Sequence, residues 1–307
     1  MNIEIHPTQQ QIDTWIEKHV PEKDLFFLRE EDLTIFKNNL QGTLVIPRDE
    51  LRYSSYNQIQ WVNSYTTWAI SKDFQFVLVA QPDWITTLPL PDKEALFRVQ
   101  QEAGRGLIFP ITYFTEMAAL PSDHVINVNG EQVIVIQKDM WMKLPHSYQE
   151  EAIKKYAQQY DTWKSIEIPI NLPTYLKKYA NRFSTESGAN CLAATLYAIS
   201  QYPERQEWII DEWIFQKTFI EGLKSAFYSL TDKEFREGDV VVWLNEEGII
   251  QHAAYCLDDH LFFNKNGQTI FNPWKIVQWD ELSEEWERYT TCVYRKSYKT
   301  RGDSFGQ

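Results

Sequence analysis

A cysteine at the predicted start of a helix is the first residue whose type and position suggest chemistry. Cys191 opens the segment 191–202, in which apolar residues recur at helical spacing and which Pro203 ends. Unpaired backbone N–H groups and the positive end of the helix dipole favour an anion at such a position. We therefore expect a lowered pKa and a nucleophilic thiol at Cys191. The alternative is a small buried side chain in a core helix.

Two further residues, His252 and Asn264, lie on consecutive predicted strands, 249–257 and 261–265. An odd-length loop such as 258–260 places Asn264 diagonally beside His252 on one face of the sheet. A two-residue loop places them on opposite faces, unless a bulge intervenes. An amide that accepts from the ring N–H would fix the tautomer of His252 and orient it as a base. Each residue alone is also compatible with an ordinary structural role.

Together the three residues form a Cys–His–Asn set on a helix start, a strand and the adjacent strand, which is a known nucleophilic arrangement. Over about residues 175–297, the sequence resembles the NlpC/P60 superfamily of papain-like cysteine peptidases and amidases, including its CHAP-type relatives. The resemblance rests on GANCLAATLYAI (188–199), GDVVVW (238–243) and QHAAYCL (251–257), with Asn264 following His252 by 12 positions as in the family.

The resemblance implies a papain-like domain and a hydrolase that cleaves an amide bond, in a peptide or isopeptide linkage, through a thioester. Cys191 would be the nucleophile, His252 the base and Asn264 the residue that orients it. The family's Asp-Cys-Ser-Gly is replaced here by Asn-Cys-Leu-Ala at 190–193, and its upstream Tyr-x-Trp-Gly-Gly segment is missing. The candidates for an oxyanion site or for the lining of a cleft are Tyr179, Asn190, Gln251 and Trp274.

Two other functions fit the same residues. Acyl transfer, deamidation or crosslinking would share the step that forms the thioester, so the sequence does not separate them from hydrolysis. The domain could also be a catalytically silent papain-like module that binds a partner. The altered neighbourhood of Cys191 and the large N-terminal region leave room for this interpretation.

The elements that must position these residues follow a simple order of helices first and an antiparallel meander second. The second half has predicted helices at 171–182, 191–202 and 204–230, and predicted strands at 238–243, 249–257, 261–265, 269–271 and 289–295. The first half reads as a mixed, strand-rich α+β region. Its predicted elements are strands 42–47, 74–80 and 106–114, a helix 93–104, and a hairpin 125–137 that turns at Asn129-Gly130.

These patterns predict an α+β protein with four segments. Residues 1–145 form an N-terminal α+β domain of unknown role, and residues 146–170 form a helical connector with a capping box at Ser147 and Glu150. Residues 171–297 form the NlpC/P60-like catalytic domain, and residues 298–307 form a polar tail.

Composition narrows the class of function. The chain has 307 residues, and 43 acidic against 30 basic side chains give a formal net charge of −13. This charge disfavours nucleic acids and anionic membrane surfaces as partners, and leaves a peptide or other amide-containing substrate. The three cysteines form no CxxC pair, so we expect neither a metal site nor a disulfide framework, and no cofactor. No signal peptide or membrane-spanning run is evident, which predicts a cytoplasmic protein; the sequence does not indicate an oligomeric state.

Overall fold

The structure is a computed structural model that describes residues 1–51, 53, 58–116 and 120–297. Contacts between Cα atoms divide the chain into two compact units. The N-terminal unit is Thr8–Gln159, and the C-terminal unit joins Met1–Pro7 to Tyr160–Gln307. The chain is mixed α+β with open antiparallel sheets, as the sequence predicts at this coarse level. The predicted polar tail, 298–307, lies outside the described residues.

The helices and strands are numbered along the chain. The helices are α1 Gln9–His19, α2 Glu30–Phe36, α3 Arg48–Leu51, α4 Ile59–Ser64, α5 Leu90–Glu102, α6 Lys138–Lys143, α7 His146–Ala157, α8 Thr174–Lys177, α9 Cys191–Ala198, α10 Pro203–Gln206, α11 Gln216–Ser225 and α12 Trp279–Glu285. The strands are β1 Asn2–Glu4, β2 Asp24–Leu28, β3 Leu44–Pro47, β4 Phe76–Ala80, β5 Ile108–Pro110, β6 Val125–Val128, β7 Glu131–Val135, β8 Lys164–Ile166, β9 Arg182–Phe183, β10 Tyr228–Thr231, β11 Val240–Leu244, β12 Ile250–Cys256, β13 Leu261–Lys265, β14 Pro273–Gln278 and β15 Thr290–Lys296.

The N-terminal unit contains two three-stranded antiparallel sheets, ordered β2-β4-β3 and β5-β7-β6. The predicted hairpin is confirmed, because β6 and β7 pair around Asn129 and Gly130, whose φ angles of 53° and 89° suit a type I′ turn. The predicted connector, residues 146–170, is divided between the two units. Its helix, α7, belongs to this unit, whereas the following strand, β8, pairs with β1 in the C-terminal unit.

The C-terminal unit is built on a seven-stranded antiparallel sheet with the order β10-β15-β11-β12-β13-β14-β9. Strand alternation gives the sheet two apolar faces, and each face is covered by a different helix. Helix α9 packs against a cluster that contains Val240, Val242 and Ala253. On the other face, Leu282 of α12 packs with Trp243 and other buried side chains. This two-sided burial explains why the central strands are apolar throughout rather than alternating.

The predicted helix 204–230 is wrong. The chain instead forms α10, a 3₁₀ helix at Glu207–Asp211, α11 and then β10. Ile210 and Ile214 are four residues apart and would share one face of a continuous helix. In the structure they enter different clusters, Ile210 beside Tyr197 and Ile214 beside Phe219, so the helix breaks between them.

The structure also differs from the sequence-based expectation at one predicted capping box and at one predicted short helix. Helix α7 begins after Pro145 with no side-chain cap, so the capping box predicted at Ser147 and Glu150 is wrong. Proline fixes the backbone just ahead of the first turn, which removes the need for that cap. The helix predicted over 171–182 is reduced to α8, because the chain leaves it to place β9 at the edge of the sheet.

Candidate active site

Cys191 is the first residue of α9, as the sequence predicts. The preceding Asn190 is the N-cap, and its Oδ1 accepts a hydrogen bond from the Ala193 N–H at 3.0 Å. Among the described residues, the N–H groups of Cys191 and Leu192 donate to no backbone carbonyl, and both lie near enough to the thiol to favour its thiolate form. The first turn of α9 therefore presents two backbone donors beside the thiol.

The environment of the thiol differs from the sequence-based expectation. Burial raises the pKa of Cys191 to about 11, although the backbone N–H groups of Ala253, Leu192 and Cys191 itself favour the thiolate and act against this rise. The predicted lowering of the pKa is therefore wrong, because desolvation outweighs the donors of the helix start. At neutral pH Cys191 is a protonated thiol.

His252 and Asn264 meet as the sequence predicts. Strand pairing joins Tyr255 to Phe263 and Cys256 to Phe262, which corresponds to the odd-length loop 258–260. This register places Asn264 diagonally beside His252 on the same face. The distance from His252 Nε2 to Asn264 Oδ1 is 2.6 Å.

A chain of side chains fixes which nitrogen of His252 carries the proton. Glu285 accepts both hydrogen bonds from Asn266 Nδ2, at 2.9 and 3.0 Å, so Asn266 Oδ1 is left to accept from Asn264 Nδ2 at 2.8 Å. Asn264 Oδ1 must then accept, and His252 Nε2 must donate. The lone pair therefore lies on Nδ1, and among the described residues the ring's hydrogen bond is the one made by Nε2. A lone pair without a partner is what a general base needs.

Aromatic rings hold the imidazole in place. The Trp286 ring stacks on His252 with a centroid separation of 4.3 Å and an interplanar angle of 3°, and the Trp243 ring lies 5.5 Å away. Only 1% of His252 is exposed, and burial lowers its pKa to about 4. The imidazole is therefore neutral at pH 7, in the protonation state that can accept a proton.

Cys191 and His252 belong to opposite faces of the sheet. Cys191 packs with the α9 cluster that contains Ala253, whereas His252 points, with Trp243 and Trp286, towards the α12 side. Within the described residues no hydrogen bond joins the thiol to the imidazole. The structure thus brings His252 and Asn264 into direct contact, and it brings Cys191 to the neighbouring backbone only.

The backbone next to Cys191 lies along the boundary between the neighbouring strands β12 and β13, which we call the seam. Cys256 N–H donates to Asp239 O on the β11 side, so the N–H groups at alternating positions, Ala253 included, point towards β13. Pairing between the two strands covers Tyr255 and Cys256 and does not extend to Ala253. The Ala253 N–H interacts instead with the Cys191 thiol. The sulfur therefore lies at an unpaired stretch of the seam, next to the strand residue that follows His252.

Sequence reasoning missed Lys265, which is completely buried on β13. Its Nζ donates to Asn272 O at 2.6 Å and lies 5.5 Å from the centre of the Trp274 ring. Burial lowers the pKa of Lys265 to about 7, while Asp161 and Cys191 favour its charged form. A signal was present in the segment LFFNK, because alternation places Lys265 on the α9 face together with the buried Phe263.

The remaining predicted site residues have structural roles. Asn190 uses its amide to cap α9 and to donate to Ile214 O at 2.9 Å. Gln251 donates to Ile249 O at the start of β12. The Tyr179 hydroxyl donates to Glu207 at 2.5 Å, and its ring packs edge-on against the buried Trp274 at 5.3 Å. None of these contacts involves Cys191 or His252.

The described residues contain no group of His, Cys, Asp and Glu side chains suited to a metal ion. They also contain no helix of the length and apolar character that crossing a bilayer requires. Comparison of the chain with models of known protein families, with characterised proteins and with solved structures found no match.

Proposed function

We propose that the C-terminal unit is a papain-like cysteine hydrolase of the NlpC/P60 type that cleaves an amide bond in a peptide or isopeptide substrate. Cys191 is the nucleophile, His252 the general base and Asn264 the residue that orients the base. The observation that carries the proposal is the free lone pair on His252 Nδ1, which the hydrogen bond from Nε2 to Asn264 keeps on that atom. His252 directly precedes Ala253, whose N–H interacts with the Cys191 thiol. The three free cysteines suit a reducing compartment such as the cytoplasm.

The reaction proceeds from a neutral thiol and a neutral imidazole. His252 Nδ1 takes the proton of Cys191 as the sulfur attacks the substrate carbonyl, and the first-turn N–H groups of Cys191 and Leu192 bind the resulting oxyanion. The imidazolium then protonates the leaving amine, and a thioester remains. Water attacks the thioester, His252 accepts its proton, and the acid is released with the thiol restored. Because the thiol and the imidazole lie on opposite faces of the sheet at rest, this proton transfer requires a rearrangement at the unpaired stretch between β12 and β13.

An activated ester such as p-nitrophenyl acetate tests this proposal, because it acylates a catalytic thiol with little demand on specificity. We expect an acyl group on Cys191, removable by hydroxylamine and located by peptide mass spectrometry. Cys292 is the matched control, since it is also a free and half-buried thiol. His252→Gln should slow acylation of Cys191 at least 100-fold and leave Cys292 unchanged. Equal acylation of the two thiols, unaffected by His252→Gln, would exclude the proposed nucleophile.

The pH dependence of the acylation rate distinguishes a neutral thiol and imidazole from a resting thiolate–imidazolium ion pair. With the pKa of His252 near 4 and that of Cys191 near 11, the acylation rate should be level from about pH 5 to pH 10. It should fall below pH 5 as the imidazole becomes protonated. A rate that instead rises tenfold per pH unit through neutrality would indicate simple titration of an unassisted thiol. Acyl transfer is distinguished from hydrolysis by adding a primary amine and measuring the amide formed.

Two observations favour the silent binding module as a second candidate. The thiol pKa is raised, and the thiol and the imidazole are not hydrogen-bonded to each other. In that case His252 and Asn264 stabilise the sheet, and Cys191 is a helix-start residue in the core. Failure of Cys191 to form any acyl adduct, together with a large loss of stability in His252→Gln, would support this candidate.

A further inference from the structure

A cavity of the C-terminal unit lies away from Cys191, at the other end of α9. It has a volume of about 230 Å³ and is bordered by Ala198 and Ile199 at the end of this helix. An eight-residue α-helix is about 12 Å long, so the cavity is about one helix length from the thiol. The rest of its wall comes from α8, from strands β10, β15 and β12, and from the turn before β11.

The floor of this cavity carries an ion pair that leaves a donor unused. Arg295 contacts the buried carboxylate of Asp239 through Nε, at 3.0 and 3.1 Å, and through Nη2 at 2.5 Å. Nη2 also donates to Glu234 O at 2.7 Å. In the part of the chain that is described, Arg295 Nη1 has no acceptor. The pair fixes the guanidinium rigidly, and Nη1 remains available to a ligand.

Two more cationic side chains border the same cavity. Arg236 and Lys296 have no ion-pair or side-chain hydrogen-bond partner among the described residues. Two tyrosine hydroxyls in the wall are already used, since Tyr175 donates to Ala198 O and Tyr228 donates to Gly238 O. Ser200 of the wall likewise donates to Gln206. The cationic donors of Arg236, Lys296 and Arg295 Nη1 are unused among the described residues.

The acidic groups of the wall do not cancel this charge. Asp239 is neutralised by Arg295. Glu237 is exposed and also borders a separate cavity of about 80 Å³, so it lies on the rim between the two. Arg236 is exposed as well, so the cavity brings Arg236, Lys296 and Nη1 of Arg295 together with one carboxylate, that of Glu237, that is not already paired with Arg295. This contrasts with the chain as a whole, whose net charge is −13.

We infer that this cavity binds a small anion, a carboxylate or phosphoryl group held by Arg236, Arg295 and Lys296. The volume is below the roughly 300 Å³ at which pockets for drug-sized ligands begin, so the occupant is a small anionic group with at most a short organic body. A planar guanidinium beside a flexible ammonium is a suitable combination for either oxyanion.

Titration calorimetry with inorganic phosphate and with acetate, each against sodium chloride at matched ionic strength, tests the inference. We expect saturable binding of at least one anion. Arg236→Gln and Lys296→Met should each weaken it about tenfold or more, and Arg236→Lys should retain part of it. Lys233→Met is the control, because Lys233 is exposed and does not border the cavity.

Cys191→Ala should bind the anion as the native chain does, which separates this site from the proposed function. Far-UV circular dichroism confirms that each variant is folded. Absence of saturable binding by the native chain, or equal binding by all cavity variants and the control, would overturn the inference. Preference for phosphate or for acetate identifies which anion the cavity takes.

Discussion

Both units of this protein bury polar and charged side chains, and they use them differently. In the N-terminal unit Arg105 is 3% exposed and donates to three backbone carbonyls, Leu25 O at 2.9 Å, Ile136 O at 2.7 Å and Gly106 O at 3.1 Å. Gln100 binds both the N–H and the C=O of Phe27. These side chains connect separate chain segments and spend their hydrogen-bonding capacity on the backbone.

In the C-terminal unit some buried polar side chains also bind the backbone, but one group on and after β12 and β13 binds side chain to side chain. His252, Asn264 and Asn266 form a chain of side-chain hydrogen bonds that ends with an unpartnered nitrogen, within the described residues. The thiol of Cys191 lies at the unpaired seam beside this chain. The comparison teaches that burial of a polar group does not by itself indicate function. Hydrogen-bonding capacity that the fold leaves unused is the more specific sign.

The largest effect on stability should come from Arg105→Met in the N-terminal unit. The variant leaves three carbonyls without their donor and removes the positive charge beside the buried Asp24, so we expect a loss of about 3–5 kcal/mol in the free energy of unfolding. Urea denaturation measures it. Arg98→Met is the control, because among the described residues the Arg98 side chain makes one hydrogen bond, an exposed one to Asn127 O. A loss below about 1 kcal/mol would show that the buried guanidinium is not a structural link.

Between pH 7 and pH 9 the free energy of unfolding of the C-terminal unit should rise by about 2 kcal/mol, and that of the N-terminal unit should not. Burial lowers the pKa of Lys265 to about 7, so between pH 7 and pH 9 the folded state holds a neutral amine and the unfolded state an ammonium. The unfolded state binds more protons, and stability therefore rises with pH over this window. Hydrogen exchange of amides in β12 and β13 measures the slope, which Lys265→Met should abolish. Amides of β2 and β4 should show no such slope, and a common slope in both units would contradict the assignment to Lys265.

Asn264→Ala should cost roughly 1–2 kcal/mol, because it leaves the buried His252 Nε2–H without an acceptor. It should also slow acylation of Cys191 by freeing the imidazole to rotate. Asn264→Asp keeps an acceptor and adds a negative charge, so the pKa of His252 should rise, as measured by NMR titration of the ring protons. An unchanged imidazole pKa in Asn264→Asp would show that the two side chains are not in contact.

The smallest effect should come from the surface of the N-terminal unit. Lys154 pairs with Glu150 one helical turn away on α7, at 2.9 Å and partly exposed. Lys154→Ala should change the free energy of unfolding by less than about 0.5 kcal/mol, because solvent screens such a pair. Thermal denaturation at low and high salt checks this. If Lys154→Ala lowered the free energy of unfolding as much as Arg105→Met does, burial of a cation would not explain the larger effect of Arg105→Met.

The local features of the fold and of the site were predictable from sequence because they depend on neighbours along the chain. The Asn129-Gly130 turn requires two residues that tolerate positive φ, and the helix start at Cys191 follows from a capping residue and an apolar period. The contact between His252 and Asn264 follows from strand alternation and an odd-length loop.

Only the tertiary structure decided what depends on segments distant in sequence. The helix predicted over 204–230 breaks because Ile210 and Ile214 pack into different clusters. The pKa of Cys191 rises because protein atoms surround it, an effect that no local donor reveals. The chain by itself determined which residues could react and how two of them meet. Packing determined the protonation states of Cys191 and His252, because desolvation arises from the whole fold. It also determined that the two side chains lie on opposite faces of the sheet.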